Sequence, residues 1–444
     1  MKRLFLAILL ELGCTEVVPA PAIDAAVGAA TDAGVPFADA SVQTCTLDPL
    51  PAGLTATWGA RVSLAITGSA GAIALSPPAG WRADGASLRA PYETGPAEIG
   101  VRLDCTNGLI ATATVGIDVR APRWSKLPSW TPAAGPVEWL KPTMWIDPVD
   151  PDRMLLLGGL APDFHFAAEL WSYDLAGPRW DLIGDLTGDL AIRGGMVAPK
   201  DGASSVVVID EQAGYGPSSM QTVSRVEYAE TPQVTTLVRD PPGEGWYGGA
   251  LFYDAALDRY VVACGATPTR SHCDVLLYDP ITGAWEEAEV EGPAPAGRFG
   301  FAYAWDEARQ RMVLFSGATA IVGARYVSDA ETWVLELGAR PFRWRRLEPT
   351  GAAAPTVYGC SVLDPESGRM LVFAGGLDQA TTHNRLYALD LDAGFERWDE
   401  IALPAGPAAR TLCTATVDRA RHRALFGFGT SPAGSFADLW AIEL

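Results

Sequence analysis

A short phrase that ends in aspartate recurs six times in the last two thirds of this 444-residue chain. The phrases are separated by 54, 53, 52, 58 and 54 residues. Self-similarity at a fixed period is the signature of a repeat architecture, so one compact core is excluded for this region. The six aspartates are Asp147, Asp201, Asp254, Asp306, Asp364 and Asp418.

Each repeat contains the segments expected for a small sheet of four strands. An apolar strand that ends in glycine follows the aspartate, a third strand comes after a loop, and in four repeats a tryptophan opens a fourth strand. Such a sheet buries both faces only when neighbours pack against it around an axis. The pattern therefore predicts an all-β propeller of six blades, in which the tryptophans fill the gaps between blades. These tryptophans are Trp180, Trp285, Trp344 and Trp398.

Two phrases carry a resemblance to a known family. RMLLLGG…ELWSYDLAGPRW and RMLVFAGG…RLYALDLDAGFERW contain a glycine doublet, a spaced tyrosine and a tryptophan, as kelch repeats do. The resemblance covers residues 123–444 and implies a six-bladed, galactose oxidase-like kelch β-propeller. The repeat at 188–243 lacks both doublet and tryptophan, but Gly159 and Gly265 are 106 residues apart, which is two repeats of 53.

The last repeat stops after its third strand, at WAIEL. The segment before the first repeat, residues 123–128, has the character of the missing fourth strand because it contains Trp124. We therefore expect this segment to complete the sixth blade and to close the ring.

The N-terminus has the pattern of an export signal. Lys2 and Arg3 precede the apolar run Leu4 to Leu10, and Cys14 follows Gly13. This resembles a bacterial lipoprotein signal, although Glu11 stands where an apolar residue is usual. The resemblance implies a signal peptide at 1–13, lipidation of Cys14, and attachment to the outer membrane by lipid alone. Ordinary secretion and no export are the alternatives.

Residues 14–44 are rich in Ala, Val, Pro and Asp and show no sustained periodicity, which predicts a flexible tether. Residues 45–121 hold short alternating segments bounded by turn residues, which predicts a small β-sandwich. Within it, Cys45, Trp81 and Cys105 resemble the tryptophan and disulfide of immunoglobulin-like (Ig-like) domains.

The cysteines fit an exported chain. We expect disulfides between Cys45 and Cys105 and between Cys264 and Cys273. Cys360 and Cys413 lie on equivalent strands but one register step apart, so their pairing stays open. No CxxC motif or His/Cys cluster suggests a metal site.

Composition and motifs restrict the function. A net charge of −20 repels a phosphate backbone, so nucleic acid is not an expected partner. There is no phosphate loop, no GxSxG and no HExxH, so the sequence predicts no cofactor and no catalytic residue. The repeat aspartates are expected to cap turns.

One position of the repeat carries the candidate binding residues. Eight residues before each aspartate, arginine occupies alternate repeats and tryptophan two of the others. If this position rings the channel mouth, arginine forks and tryptophan faces suit an anionic ligand with a flat apolar side. The alternative is that the arginines pair internally with acids or carbonyls. The candidates are Trp139, Arg193, Trp246, Arg298 and Arg410, with Thr356 in the fifth repeat.

Three histidines, His165, His272 and His383, follow the glycines of alternate repeats and are expected to be solvated loop residues too far apart to share a metal. His422 is expected at the surface. Copper oxidases of the kelch-like class require a tyrosine, a histidine and a cross-linked cysteine near the axis. The sequence contains no evident set of this kind.

The sequence thus favours an exported binding protein that uses one propeller face to bind a protein segment or an anionic glycan. Some bacterial kelch propellers act as mutarotases of acidic sugars, and this resemblance implies one arginine for the carboxylate, such as Arg193 or Arg298, with an acid–base pair. The other alternative is a purely structural envelope protein.

Overall fold

The computed structural model describes residues 44–84, 87–131, 133–161, 166–190, 196–200, 202–210, 222–229, 231–239, 245–267, 269–378 and 381–444. The predicted signal peptide, Cys14 and nearly all of the predicted tether lie outside the described residues, as do Arg193, Asp201 and His165. The described chain is all-β, and its only helical segments are two 3₁₀ turns, Glu307–Arg309 and Arg419–Arg421. Within the same residues, no helix has the length and apolarity needed to cross a bilayer.

The residues from Cys45 to Arg120 form two facing sheets. One sheet has the strand order β1-β7-β6-β3 and the other β2-β5-β4. Trp81, Ile99 and Val115 are buried between them, as the alternating pattern predicts. The strands are β1 Leu54–Thr57, β2 Arg61–Ser63, β3 Gly71–Ser76, β4 Arg82–Asp84, β5 Ser87–Arg89, β6 Gly95–Cys105 and β7 Ile110–Arg120.

The rest of the chain forms a propeller. Strand β8, Trp124–Lys126, comes first and belongs to the last blade. Blade 1 contains β9 Thr143–Ile146, β10 Arg153–Leu160, β11 Phe166–Asp174 and β12 Arg179–Asp185. Blade 2 contains β13 Met196–Pro199, β14 Ser205–Asp210, β15 Thr222–Glu227 and β16 Gln233–Arg239. Blade 3 contains β17 Ala250–Asp254, β18 Arg259–Ala266, β19 Ser271–Tyr278 and β20 Trp285–Glu287.

Blades 4 and 5 each gain a short fifth strand that pairs in parallel with the outermost strand. Blade 4 contains β21 Val290–Glu291, β22 Ala302–Asp306, β23 Arg311–Phe315, β26 Thr332–Glu336 and β27 Phe342–Leu347, and a separate hairpin of β24 Ala318–Val322 and β25 Arg325–Ser328. Blade 5 contains β28 Thr350–Gly351, β29 Cys360–Asp364, β30 Arg369–Phe373, β31 Leu386–Asp390 and β32 Arg397–Glu400. Blade 6 contains β33 Thr414–Asp418, β34 Arg423–Gly427 and β37 Leu439–Glu443, with a small hairpin of β35 Thr430–Ser431 and β36 Gly434–Ser435.

The six-bladed fold predicted from the repeats is confirmed, and so is its closure. Strand β8 pairs antiparallel with β37, the last strand of the chain, with Ser125 opposite Ala441. The Trp124 ring packs edge-on against Phe373 of blade 5 at 5.5 Å and against Phe426 of blade 6 at 5.6 Å. The N-terminal strand therefore supplies both a sheet edge and the tryptophan that fills the last gap between blades.

Each pair of neighbouring blades shares one apolar cluster. Trp344 of blade 4 is buried against blade 3, and Trp398 of blade 5 lies 4.5 Å from the ring of Phe315 of blade 4. Trp180 of blade 1 is buried against blade 6. Each of these tryptophans thus covers the preceding blade, which confirms the predicted role.

In blades 1, 3, 4, 5 and 6 the repeat aspartates lie at the end of the inner strands and organise the turns that follow. Their carboxylates accept backbone N–H groups in the turn, as at Asp364 and Asp418, and bond the arginine five or six residues later. Blade 3 is the exception, because Arg259 pairs with Asp279 at 3.0 Å and leaves one oxygen of the buried Asp254 without a partner among the described residues. Burial raises the pKa of Asp254. We call the end of the ring with the aspartates the lower face and the opposite end the upper face.

The sandwich is docked on the lower face of blade 5 by ion pairs. Arg89, which is 5% exposed, donates to Asp392 at 2.7 Å and lies 3.1 Å from the buried Asp390. Arg61 donates to Asp392 at 2.6 Å, and Arg369 of the propeller reaches back to the carbonyl of Trp58. The two parts therefore form one charge-paired interface, which composition gave no means of predicting.

Three disulfides are present in the described chain. Cys45–Cys105 ties the start of the sandwich to β6, and Cys264–Cys273 joins β18 to β19, as predicted. Cys360–Cys413 joins blades 5 and 6 beside the axis, with a Cα separation of 5.5 Å. The inner strands of neighbouring blades are not bonded in register, so the offset of one residue between these cysteines does not prevent the bridge.

Truncation of the closing tryptophan tests the ring. Trp124→Ala should lower the free energy of unfolding of the propeller by about 3 kcal/mol, because a cavity opens between blades 5 and 6. Urea unfolding measures the effect. Lys126→Ala, an exposed position on the same strand, should stay within about 0.5 kcal/mol of the parent. Equal stability of the two variants would contradict the closure.

Loss of a docking arginine tests the sandwich interface. Arg89→Ala removes the buried guanidinium that pairs with Asp392 and bonds the carbonyls of Gly59 and Ser367, and breaking a buried ion pair costs about 3–5 kcal/mol. We expect the sandwich to undock and to become sensitive to limited proteolysis at neutral pH. Arg102→Ala removes an exposed pair with Asp104 in the same domain and should leave the digestion pattern unchanged. Similar patterns for both variants would argue against the charge-paired interface.

Candidate functional site

The arginines predicted to ring the channel mouth are internal braces. Arg298 and Arg410 are 0% exposed. Arg298 bonds Asp329 at 3.0 Å and Glu331 at 3.2 Å, and Arg410 bonds Asp438 at 2.6 Å. Their guanidinium forks are therefore occupied, so the expectation of an open Arg/Trp binding ring needs correction.

The tryptophans predicted for the same ring are also internal. Trp139 and Trp246 are each 1% exposed. A Cβ placed on Gly159 would lie 2.9 Å from the Cβ of Trp139, and one on Gly265 would lie 2.9 Å from the backbone of Trp246. These glycines have positive φ values of 137° and 139°, so glycine at this position allows the chain to pass under the tryptophan.

A common function explains why this repeat position accepts different residues. In blades 4, 5 and 6 a left-handed residue directly follows strand two, and its carbonyl accepts a hydrogen bond from the side chain at this repeat position. Arg298 donates to Ser316 O at 3.0 Å, Arg410 to Phe428 O at 3.0 Å, and Thr356 to Ala374 O at 2.9 Å. The position eight residues before the aspartate therefore fastens strand two to the inner strand, which is the internal role that the sequence analysis kept as an alternative.

The residues that reach the upper mouth lie six and seven positions before the aspartates. At the sixth position the backbone is left-handed in five blades, with φ from 52° to 64°. Four backbone hydrogen bonds of 2.6 to 2.8 Å join these residues between neighbouring blades: Lys141 N–H donates to Leu412 O, Leu412 N–H to Tyr358 O, Tyr358 N–H to Gly300 O, and Gly300 N–H to Gly248 O. We call this chain of bonds the mouth belt.

An aromatic cluster stands on the mouth belt. Tyr358 lies over Gly300, where an added Cβ would come within 2.8 Å of its ring. Its centroid is 6.2 Å from Tyr247, 6.2 Å from Phe299 and 5.8 Å from Tyr326. Tyr247 and Tyr326 are partly exposed. We call these four rings the aromatic cap; Tyr358 and Phe299 are buried, so Tyr247 and Tyr326 supply its exposed surface.

A cation completes the cap. The Nζ atom of Lys141 is buried beneath the cap, 5.3 Å from the centroid of Tyr247 and 6.0 Å from that of Tyr358. A lysine over aromatic rings keeps its positive charge close to the rings' negative faces. The upper mouth therefore combines aromatic surface with one positive charge, the chemistry that the sequence analysis had assigned to a different repeat position.

An axial cavity of about 810 Å³ runs below the belt between the inner strands. The carboxylates that line it among the described residues are Asp147 and Asp418, and both are bonded to arginines, Arg153 and Arg423. Tyr303 also lines it, and burial raises the pKa of this tyrosine. Within the described residues, the cavity wall therefore shows no unpaired acid–base pair of the kind that a sugar mutarotase requires.

The histidines differ from their prediction in one case. His272 is buried rather than solvated, at 4% exposure, and its Nε2 lies 2.7 Å from Gly245 O while its ring packs edge-on against Trp246. His383 is partly buried, and burial lowers its pKa. His422 is exposed beside Glu366, as predicted. In the described part of the chain, no group of histidine, cysteine and acidic side chains is arranged to hold a metal ion.

Comparison with known proteins agrees with this architecture. Residues 255–444 match the KLHDC2/KLHL20/DRC7 Kelch-repeats domain family. Among curated proteins, serine/threonine-protein phosphatase BSL2 of Arabidopsis thaliana is 32% identical over 94 residues, which is 21% of this chain and 8% of that protein. Adagio-like protein 3 of Oryza sativa subsp. japonica is 30% identical over 128 residues, 29% of this chain and 19% of that protein. The chain thus spans less than a fifth of either relative.

Among solved structures, the one titled "Structure of YjhT" aligns with a TM-score of 0.52 and 15% identity, and covers 70% of this chain and 96% of that chain. At this identity the likeness concerns the fold alone. Together with the repeats and the six sheets, these matches establish a kelch-type β-propeller.

The buried pair of blade 6 generates a pH prediction. Burial opposes ionisation of Asp438, but hydrogen bonds and charge from Arg410 outweigh it and hold the pKa of Asp438 below its ordinary value. A carboxylate with a depressed pKa stabilises the fold above its ordinary pKa of about 4, and this stabilisation is lost as the pH falls through the lower, folded value.

Asp438→Asn should therefore cost about 3–5 kcal/mol at pH 7, because it leaves the buried Arg410 unpaired. The difference from the parent protein should shrink as the pH falls below about 4. Urea unfolding at pH 7 and at pH 3 measures both values, and Asp181→Asn, which removes an exposed pair with Arg179, is the control. If the destabilisation by Asp438→Asn is the same at both pH values, the pairing of an ionised Asp438 with Arg410 is contradicted.

Proposed function

We propose that this protein is an exported binding protein of the cell envelope, and that the aromatic cap and Lys141 form its ligand-binding surface. The observation that carries the proposal is the position of the Lys141 ammonium over two tyrosine rings at the mouth of the propeller. Such a surface favours a ligand that has an acidic group beside a flat apolar face, because the ammonium attracts the acid and the rings stack on the face. A protein segment and an anionic glycan both meet this description.

Three features support a rigid binding surface. The mouth belt fixes the backbone under the cap, Tyr358 cannot move onto the axis without leaving Gly300, and the Cys360–Cys413 disulfide joins the two blades below it. A surface held in its binding conformation loses little entropy when the ligand arrives.

The cellular location is part of the proposal. Three disulfides fit an extracellular or periplasmic protein, because such bonds persist in oxidising compartments. We further propose that Cys14 carries a lipid that anchors the protein to the outer membrane, which would place the propeller in the envelope.

Substitution of the cap cation tests the function. The full mature chain would be applied to an array of acidic and neutral oligosaccharides and of acidic and neutral peptides, and the probe that binds would be titrated in solution. Lys141→Gln should weaken binding of an acidic probe at least tenfold, which corresponds to about 1.4 kcal/mol.

Lys126→Gln is the matched control, since Lys126 also lies over an aromatic ring, that of Trp440, but on the outer edge of blade 6. It should leave the affinity unchanged. Equal affinity of the parent and Lys141→Gln, with thermal stability preserved, would remove the upper mouth as the binding site. Catalysed anomer exchange of an acidic sugar in proton NMR would instead favour the enzyme alternative.

A further inference from the structure

The hairpin of β24 and β25 exposes an unusual amount of aliphatic surface. Ile321, Val322 and Val327 are 58%, 67% and 45% exposed. Only eleven large hydrophobic residues are exposed in the described chain, and three of them lie in this one hairpin. Single exposed apolar residues need no explanation, but a cluster of them on one element marks an interaction surface.

The hairpin is fixed in place at several points. Tyr326 N–H donates to Leu377 O at 2.9 Å, and Arg325 pairs with Asp378 at 3.3 Å on the neighbouring blade. At its base, Ser271 Oγ donates to Thr319 O at 2.9 Å. These bonds keep the aliphatic residues on a rigid support, so a partner that buries them does not have to order a loop first.

The two sides of the hairpin have different surroundings. Ile321 is paired with Tyr326, whose ring belongs to the aromatic cap, so this side continues the cap outward. Val322 is paired with Arg325, and Val327 follows two residues later, so these three side chains share the other side. That side presents two aliphatic residues with a 70% exposed arginine between them.

The charge of the hairpin indicates the kind of partner. From Ala318 to Ser328 its one charged side chain is Arg325, which stays 70% exposed while its Nε atom pairs with Asp378, in a chain whose net charge is −20. An apolar partner surface with a carboxylate complements the two valines and the arginine. A lipid surface is a poorer partner, because anionic headgroups are repelled by the acidic protein and the hairpin has neither tryptophan nor a cluster of basic residues.

We propose that the outer side of this hairpin is a docking site for an extended segment of a partner protein that carries aliphatic residues next to an aspartate or glutamate. The inference rests on the proposed binding function and names the partner class for a second part of the upper face. The segment lies along Val322 and Val327, and its carboxylate pairs with Arg325.

Peptide selection tests the docking site. A library of random dodecapeptides displayed on phage would be panned on the immobilised full chain, and the enriched sequence would be made as a labelled peptide for fluorescence polarisation. We expect enrichment of aliphatic residues beside an acidic one, and at least tenfold weaker binding to Val322→Asp. Arg325→Gln should weaken binding severalfold and reduce its dependence on salt.

Ile281→Asp is the matched control, because Ile281 is 78% exposed on a turn of blade 3 outside this hairpin. It should bind the peptide as the parent does. No enriched sequence, or unchanged binding to Val322→Asp, would overturn the docking site. Sedimentation with vesicles of phosphatidylcholine and phosphatidylglycerol that depends on Val322 would overturn it in favour of a lipid partner.

The variants separate this inference from the proposed function. If Lys141→Gln abolishes binding of the acidic array probe while Val322→Asp retains it and selects the same peptides, the docking site fails and the binding mouth stands. If peptide binding is lost in Val322→Asp but acidic probes bind Lys141→Gln normally, the mouth fails and the docking site stands.

Discussion

Closure of the ring is the constraint on which the rest of this structure depends. Each four-stranded blade has two apolar faces, and each face is covered only by a neighbouring blade. A chain of six blades therefore leaves two faces bare unless its ends meet. Pairing of β8 with β37 brings them together, and Trp124 adds to the apolar contact between Phe373 of blade 5 and Phe426 of blade 6. Six apolar clusters then connect the blades in a continuous circle.

The same closure positions the upper face. Around the axis, the residues six places before the aspartates of blades 3, 4, 5, 6 and 1 are bonded from one blade to the next, and these bonds form the mouth belt. The belt supports Tyr358 and Lys141, and the hairpin of blade 4 leans on blade 5 through Arg325 and Asp378. The geometry of the upper face thus depends on contacts between several blades rather than on one blade.

Much of the fold could be predicted from the sequence because repetition averages out local ambiguity. The spacing of the aspartates gave the number of blades, and the missing last strand gave the role of Trp124.

The site was harder to predict, because neighbouring positions on an inner strand point in different directions. Counting eight residues back selected Arg298 and Arg410, whose acidic partners lie 28 to 33 residues further along the chain and cannot be recognised from spacing. Lys141 and Tyr358 occupy a left-handed position that recurs in the repeat, but glycine and leucine occupy it in other blades, so no shared residue type marks it in the sequence. The docking of the sandwich depends on ion pairs across some 300 residues, such as Arg89 with Asp392, and is equally invisible in sequence.

Amide hydrogen exchange of the intact chain, read by mass spectrometry, tests the closure most directly. The account predicts that the amides of Trp124–Lys126 are protected, and that they and those of Leu439–Glu443 lose protection together when the ring is destabilised by low concentrations of urea. Exchange of the 124–126 segment at the rate of an exposed peptide, while the 439–443 strand stays protected, would show that the N-terminal strand does not close the propeller.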